Sequence, residues 1–233
     1  MNEKALEYMN GDALHHIDML EALKRGLGEV AFASDDGVAV LNMGYTYMIS
    51  AESEETLGKI CAKLKRPQIV AMHQARFVPL LQTRYGYKHQ MECLQCAYLP
   101  KEKLDLRISE GIDLRELTLG ELDFVIKNYD HLPDERYITE RIGAGMIGAF
   151  CGDDIAGFIG THSEGTMGML QVIPKYRRRG IAYTLEAALI NDMLKKGYVP
   201  HAHIVTSNAA SIKLQEKLGM SFSDRTITWL YDE

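Results

Sequence analysis

The residues most able to do chemistry in this 233-residue chain lie in one stretch, VIPKYRRRGIAYTLEAALINDMLKKG, from Val172 to Gly197. A proline is followed by four cations in five residues, then by Gly180, then by a helical run with no Pro or Gly until Gly197. Pro174 cannot donate to a strand ladder, so the preceding strand ends there. The first N–H groups of the following helix have no internal partners and sit at the positive end of its dipole. With the turn amides they form a concave site suited to phosphate. Gly180 lets a ligand approach the backbone closely. Arg177, Arg178 and Arg179 can pair bidentately with phosphate oxygens. The expected ligand is therefore a phosphorylated one. The sequence has neither G-x-x-x-x-G-K-[ST] nor G-x-G-x-x-G, so the nucleotide-hydrolase loop and the dinucleotide fingerprint are both excluded. A solvated basic turn is the bland alternative, and the strand–turn–glycine–helix context weighs against it.

Other candidates are single residues. In HAHIV, alternation puts His201, His203 and Val205 on one face, and a neutral imidazole at His203 suits a general base. Glu164, in THSEGT, is a second candidate base or an exposed turn residue. Asn208 stands at the head of a helix, where an N-cap role and a ligand contact can coexist. Tyr176 and Tyr183 flank the basic loop and read as packing residues. Cys93 and Cys96 form a lone C-x-x-C on a strand, without the further ligands zinc would need. They read as small buried filler, and no metal site is expected.

The elements that must position these residues follow from periodicity and turn chemistry. Helices are expected near 3–9, 12–25, 53–64, 74–85, 118–129, 134–143, 180–196 and 208–218. Strands are expected at EVAFAS, VAVLNM, YTYMI, QIVAM, 88–98, 112–116, TMGMLQVI, HAHIV and SFSDRTITWLY. Asp35-Asp36-Gly37 marks one hairpin and Gly152-Asp153-Asp154 another. The acids of DHLPDERYITER (Asp130, Asp134, Glu135) read as capping the helix after Pro133. Both halves of the chain end in the order strand, helix, strand, helix, Gly, strand. A shift of 133 superposes Pro67 on Pro200, Leu81 on Leu214, Gln82 on Gln215, Gly86 on Gly219 and Tyr98 on Tyr231 without a gap. The first half passes from YTYMIS almost directly into acids, so the anion site belongs to the second half alone. The expected division is 1–105 and 106–233.

Composition bounds the rest. A net charge of −6 opposes a general nucleic-acid binder. No stretch approaches a membrane span, and the N-terminus has no apolar signal-type core. The expected setting is the cytoplasm, with Cys61, Cys93, Cys96 and Cys151 reduced. Neither nucleic acid nor membrane is an expected partner, and a homodimer is the assembly the reading allows.

LQVIPKYRRRGIA resembles the acyl-coenzyme A signature of the GNAT (GCN5-related N-acetyltransferase) superfamily, [QR]-x-x-G-x-[GA], filled here by Arg177, Gly180 and Ala182. SNAASIKLQEKLGM is similar to the family's second motif through Asn208, Ser211 and Lys217–Met220. Together they cover about residues 110–230. The N-terminal half matches only as a degenerate copy, an arrangement resembling glycine N-acyltransferase-like and FR47-like members. The resemblance implies an α/β (α+β) GNAT fold: a mixed, mostly antiparallel twisted sheet flanked by helices, preceded by a smaller degenerate GNAT-like half. It implies acetyl-coenzyme A or coenzyme A as cofactor. Arg177, Arg178, Arg179, Gly180, Ile181 and Ala182 would hold its pyrophosphate, and the main chain of Leu170, Gln171 and Val172 its pantetheine arm. Asn208 would touch the pantetheine and His203 would be the base. The implied reaction is N-acyl transfer to a primary amine of a small molecule or peptide. Many members place a Tyr seven residues after the Asn as the acid for the leaving thiolate; this chain has Gln215. The alternative is a non-catalytic acyl-coenzyme A-binding or sensing module.

Overall fold

A computed structural model describes residues 2–129 and 134–232. Its elements, in order, are α1 (Glu3–Asn10), α2 (Ile17–Lys24), β1 (Gly28–Ser34), β2 (Gly37–Asn42), β3 (Thr46–Ala51), α3 (Glu54–Lys63), β4 (Ile69–Met72), α4 (Val78–Tyr85) and β5 (His89–Ala97). There follow β6 (Asp113–Glu116), α5 (Leu122–Asn128), α6 (Glu135–Gly143), β7 (Ile147–Cys151), β8 (Asp154–Thr161), β9 (Met167–Val172), α7 (Ile181–Lys195), β10 (His201–Val205), α8 (Ala209–Leu218) and β11 (Ser221–Tyr231). None of the described helices is long and apolar enough to cross a membrane.

Every expected helix and strand is present, with three helix starts moved; the helix expected from 118 begins at Leu122, after a 3₁₀ turn over Leu119–Glu121 that Thr118 caps. The helix expected from residue 12 begins at Ile17, because the Asp12 carboxylate takes the His15 amide at 3.1 Å and closes a turn first. The helix expected from 74 begins at Val78 after a short 3₁₀ turn, with Pro79 in its first turn, where a missing N–H costs nothing. Asp134 caps α6, accepting from the Tyr137 amide at 2.7 Å. Asp130 and Pro133 lie outside the described residues.

The chain forms two compact units. The first takes the residues up to Ala97 together with His201–Ile212 and those from Ser221 onward. Its strands run β1-β2-β3-β4-β11-β5-β10, antiparallel except for the β3–β4 pair. Two apolar clusters flank this sheet, one around Ile49, Ile60, Met72 and Leu81, the other around Met9, Met19, Val40 and Met48.

The second unit takes Tyr98–Pro200 and Lys213–Met220. Its sheet is antiparallel throughout, in the order β9-β8-β7-β6. Its core includes Val125, Ile138, Met146, Phe158 and Met169. Helix α7 packs on this sheet. An extended strap without regular structure is tied to it: Asn191 exchanges two hydrogen bonds of 2.8 Å with the Leu104 backbone, and Thr184 Oγ1 donates to Arg107 O at 2.7 Å.

The repeat is visible in the boundaries. Moved by the same 133 residues, β4, α4 and β5 fall on β10, α8 and β11 to within about two residues at each end.

Candidate functional site

Strand β9 ends at Val172, and Pro174 opens a 3₁₀ turn to Tyr176. Two contacts pin that turn: Tyr176 Oη donates to Asp154 at 2.8 Å and Lys175 Nζ pairs with the same carboxylate at 2.6 Å. Tyr176 is buried, which supports its packing role, and so is Tyr183, under the Arg107 and Lys217 side chains. Beyond the turn, Arg177 to Gly180 are exposed. Arg178 has φ +65°, Gly180 has φ +77°, and α7 begins at Ile181.

The amides of this loop decide what it can hold. Gly180 occupies the N-cap of α7, and no side chain caps the helix. Thr184 is the first residue bonded back, to Gly180 O at 3.1 Å. Among the described residues, the amides of Arg178 through Tyr183 take no acceptor. Left-handed backbone at Arg178 and Gly180 bends the chain so that successive N–H groups converge, the nest geometry that binds anions. None of the three arginines pairs with a carboxylate among the described residues. Arg177 Nε reaches back to Val172 O at 3.2 Å, and Arg179 lies 5.8 Å from the Tyr176 ring centre. Ser109 Oγ holds the loop by donating to Arg179 O at 2.5 Å. Ile181 turns into the core and Ala182 is half-buried. The loop thus fits a pyrophosphate: unsatisfied donors, uncompensated positive charge and an open face.

Leu170, Gln171 and Val172 are half-buried on β9. Gln171 pairs with Phe158 and Val172 with Gly157, while Leu170 falls within a bulge. Asn208 is exposed and caps α8, its Oδ1 accepting from the Ser211 amide at 3.1 Å.

His203 lies in a buried polar network of the first unit. Trp229 Nε1, which can only donate, lies 3.3 Å from its Nδ1. A neutral His203 therefore carries its hydrogen on Nε2, which meets Gln95 Oε1 at 2.6 Å. Gln95 Nε2 in turn donates to Leu14 O and His15 O, which fixes the amide's orientation. Both ring nitrogens are thus engaged, and a lone pair for a substrate proton requires release of the Trp229 bond. Asp18 lies 3.5 Å from His203 and 3.0 Å from His73. Burial opposes its ionisation, but His73 and His203 facing it hold the carboxyl well below the usual range. His15 and His16 pack edge-on and stacked against His73. Burial, with His73 adding to it, lowers them to about 4 and about 3. Sequence reasoning missed this cluster; its one signal was the His15-His16 pair.

Gln215 is buried in the second unit and donates to Glu186 Oε1 at 2.5 Å. Glu186 Oε2 and Gln215 Oε1 have no partner among the described residues. Burial lifts the Glu186 carboxyl to about 7, against the lowering effect of that bond. Glu164 stays within its own turn, accepting from Thr166 Oγ1 at 2.8 Å and Ser163 Oγ at 3.3 Å. Cys93 and Cys96 are buried free thiols, and burial pushes Cys93 up to about 12.

Residues 146–230 match the family model of the FR47-like protein. Solved structures superpose on most of the chain. A Drosophila protein gives a TM-score of 0.68 at 18% identity, over 83% of this chain and 73% of its own. A GCN5-related N-acetyltransferase from Kribbella flavida gives 0.60 at 10%, over 94% and 95%. The chain has a GNAT fold with an FR47-like segment. A GCN5-related N-acetyltransferase-like protein from Streptococcus suis gives 0.56 at 14%, over 98% and 99%. No curated protein matches the chain. Within the FR47-like segment lie the arginine loop, β9 and the Asn208 cap.

Proposed function

We propose that this GNAT-fold chain is an N-acyltransferase that moves an acetyl or other short acyl group from acyl-coenzyme A to a primary amine of a small molecule or peptide. The observation that supports it most is the start of α7, where, among the described residues, no side chain caps the helix and the amides of Arg178 to Tyr183 take no acceptor beside three exposed arginines. Arg177, Arg178, Arg179, Gly180, Ile181 and Ala182 would hold the pyrophosphate, and the main chain of Leu170, Gln171 and Val172 the pantetheine arm. Asn208 would reach that arm while keeping its cap. Bound there, an acyl thioester supplies an activated carbonyl. The protein's part is to hold donor and amine in register, which is worth several kcal/mol of barrier. An alkyl ammonium has a pKa near ~10, so a proton acceptor is also needed. His203 could serve only after exchanging its Trp229 bond, with Asp18 beside it to stabilise the imidazolium.

A second reading is a non-catalytic acyl-coenzyme A-binding module. It is favoured by the buried Gln215 at the position of the family's acid and by the two engaged nitrogens of His203. Calorimetric titration with coenzyme A, followed by free-thiol release from acetyl-coenzyme A across an amine panel, separates them. Binding with thiol release supports the transferase. Binding without release from any amine supports the module. Absence of binding overturns both.

A further inference from the structure

We infer that Arg107 and Lys217 form a second anion site beside the arginine loop, one that takes the ribose 3′-phosphate of coenzyme A and so selects free coenzyme A thioesters as donors. This deepens the proposed function and rests on it. Tyr183, in the first turn of α7, is buried, and two cations stand at its ring. The Arg107 guanidinium lies 5.4 Å from the ring centre and the Lys217 ammonium 5.1 Å. They come from different elements of the second unit, Arg107 from the strap and Lys217 from the last turn of α8. Both are exposed.

Each cation is held in place through its element. Thr184 Oγ1, on α7, donates to Arg107 O at 2.7 Å, and two residues further along the strap Ser109 Oγ donates to Arg179 O at 2.5 Å. Arg107 is thereby tied to the helix start and, through Ser109, to the loop. On α8, Gln215 donates to Glu186 of α7 at 2.5 Å while Lys217 meets Tyr183. These two contacts lay the last turn of α8 against the head of α7. Packing explains the stems, since Arg and Lys commonly rest their apolar carbons on a ring and keep their charged heads in water. It does not explain why two like charges, which repel, are gathered there without an acid. Other cations of this unit have one: Lys175 pairs with Asp154 at 2.6 Å and Lys196 with Asp192 at 2.6 Å. Among the described residues neither Arg107 nor Lys217 pairs with a carboxylate.

The chemistry of the missing anion follows from where the site lies. A pyrophosphate on the loop amides would send its pantetheine arm toward β9. Its ribose would leave the other way, toward the first turn of α7, where Tyr183 lies. That ribose carries a phosphate monoester at its 3′ position. A monoester bears about two negative charges at neutral pH and presents three acceptor oxygens, enough for one guanidinium and one ammonium. The group also separates two kinds of donor. An acyl-pantetheine is met either as a coenzyme A thioester or on a carrier protein, to which it is joined by a phosphodiester. Only the first has a 3′-phosphate, so a site for that group favours the free coenzyme A thioester.

Calorimetric titration with coenzyme A and with 3′-dephospho-coenzyme A tests this. The wild type should bind coenzyme A about tenfold more tightly of the two. Arg107→Gln and Lys217→Gln should each cut that ratio about threefold, and the double variant should bring it to unity. The change should fall on coenzyme A, with the affinity for the dephospho form retained; that retention also shows that the variants are folded. Equal affinities in the wild type, a ratio that survives in the double variant, or equal weakening of both ligands overturns the 3′-phosphate assignment and leaves the transferase reading standing. A wild type that binds neither ligand overturns both together.

Discussion

Two strand-to-helix passages of this molecule occupy corresponding places in the two halves and do opposite things with the helix start. Only residues 52–53 separate β3 from α3, and Ser53 caps the helix, its Oγ accepting from the Thr56 amide at 3.1 Å. Asp36 adds a carboxylate there through the Thr56 and Ser53 hydroxyls, and Glu54 and Glu55 fill the first turn. Residues 173–180 separate β9 from α7, and no side chain caps that helix. The first helix start has its anionic and hydrogen-bonding partners built in. The second leaves them to be supplied from outside. The lesson is that a helix start open to an anion is made as much by what is withheld, a cap and its acids, as by the arginines that are added.

The largest expected effect comes from supplying the second helix start with what the first already has. Gly180→Asp puts a carboxylate on the amides and a side chain at φ +77°. Coenzyme A affinity by calorimetry should fall at least ~100-fold, about 3 kcal/mol. The left-handed position should cost ~1 kcal/mol of stability. Unchanged affinity would end the comparison, since the loop would then not be the binding element.

Next come the buried ionisable groups, which also divide between the units. In the second unit Glu186 is raised to about 7 from an ordinary 4.5. The folded state keeps its proton where the unfolded chain has lost it. Its stability is therefore full below pH ~4.5 and declines as pH rises toward 7, by on the order of 3 kcal/mol. Glu186→Gln should remove that decline, giving a higher urea midpoint at pH 8 and little change at pH 4.5. In the first unit His15 and His16 are lowered to about 4 and about 3. Their contribution is full above pH ~6.5 and is lost as pH falls toward those values, while that of Asp18 is lost only below the ordinary carboxylate range, because in each case the unfolded chain takes up the proton first. Acid should therefore unfold the wild type through the first unit, read as loss of its Trp229 fluorescence signal.

Most of the architecture was legible in the sequence because it rests on local rules. Period-2 runs such as HAHIV, the Asp36-Gly37 turn, the Pro174 stop and Gly180 at a helix head each constrain a few adjacent residues. The exposed basic loop ahead of α7 was legible for the same reason. What could not be read was tertiary pairing. Nothing local says that Trp229 donates to His203, or that Asp18 lies between His73 and His203 across 55 and 185 positions of chain. No pattern of spacing brings Arg107 and Lys217 together at Tyr183, which lies 76 positions after the one and 34 before the other.

Two smaller substitutions sharpen the contrast between the passages. Ser53→Ala removes the cap of α3 and should cost about 1 kcal/mol of stability while leaving coenzyme A affinity unchanged. Ser109→Ala acts on the other passage with the opposite signature. Ser109 is half-buried, and its Oγ donates to Arg179 O outside the apolar core. Its loss should scarcely move the urea midpoint. It frees the carbonyl between Arg178 and Gly180 to rotate, so the converging amides must be ordered again when a pyrophosphate arrives. The expected result is a three- to tenfold weaker coenzyme A affinity, roughly 1 kcal/mol. The weakening should be the same for coenzyme A and for acetyl-coenzyme A, since the two share the pyrophosphate and differ only at the sulfur. A loss confined to the acetylated form would place Ser109 at the reacting end instead, and the loop would no longer be the part of the molecule that its hydroxyl holds.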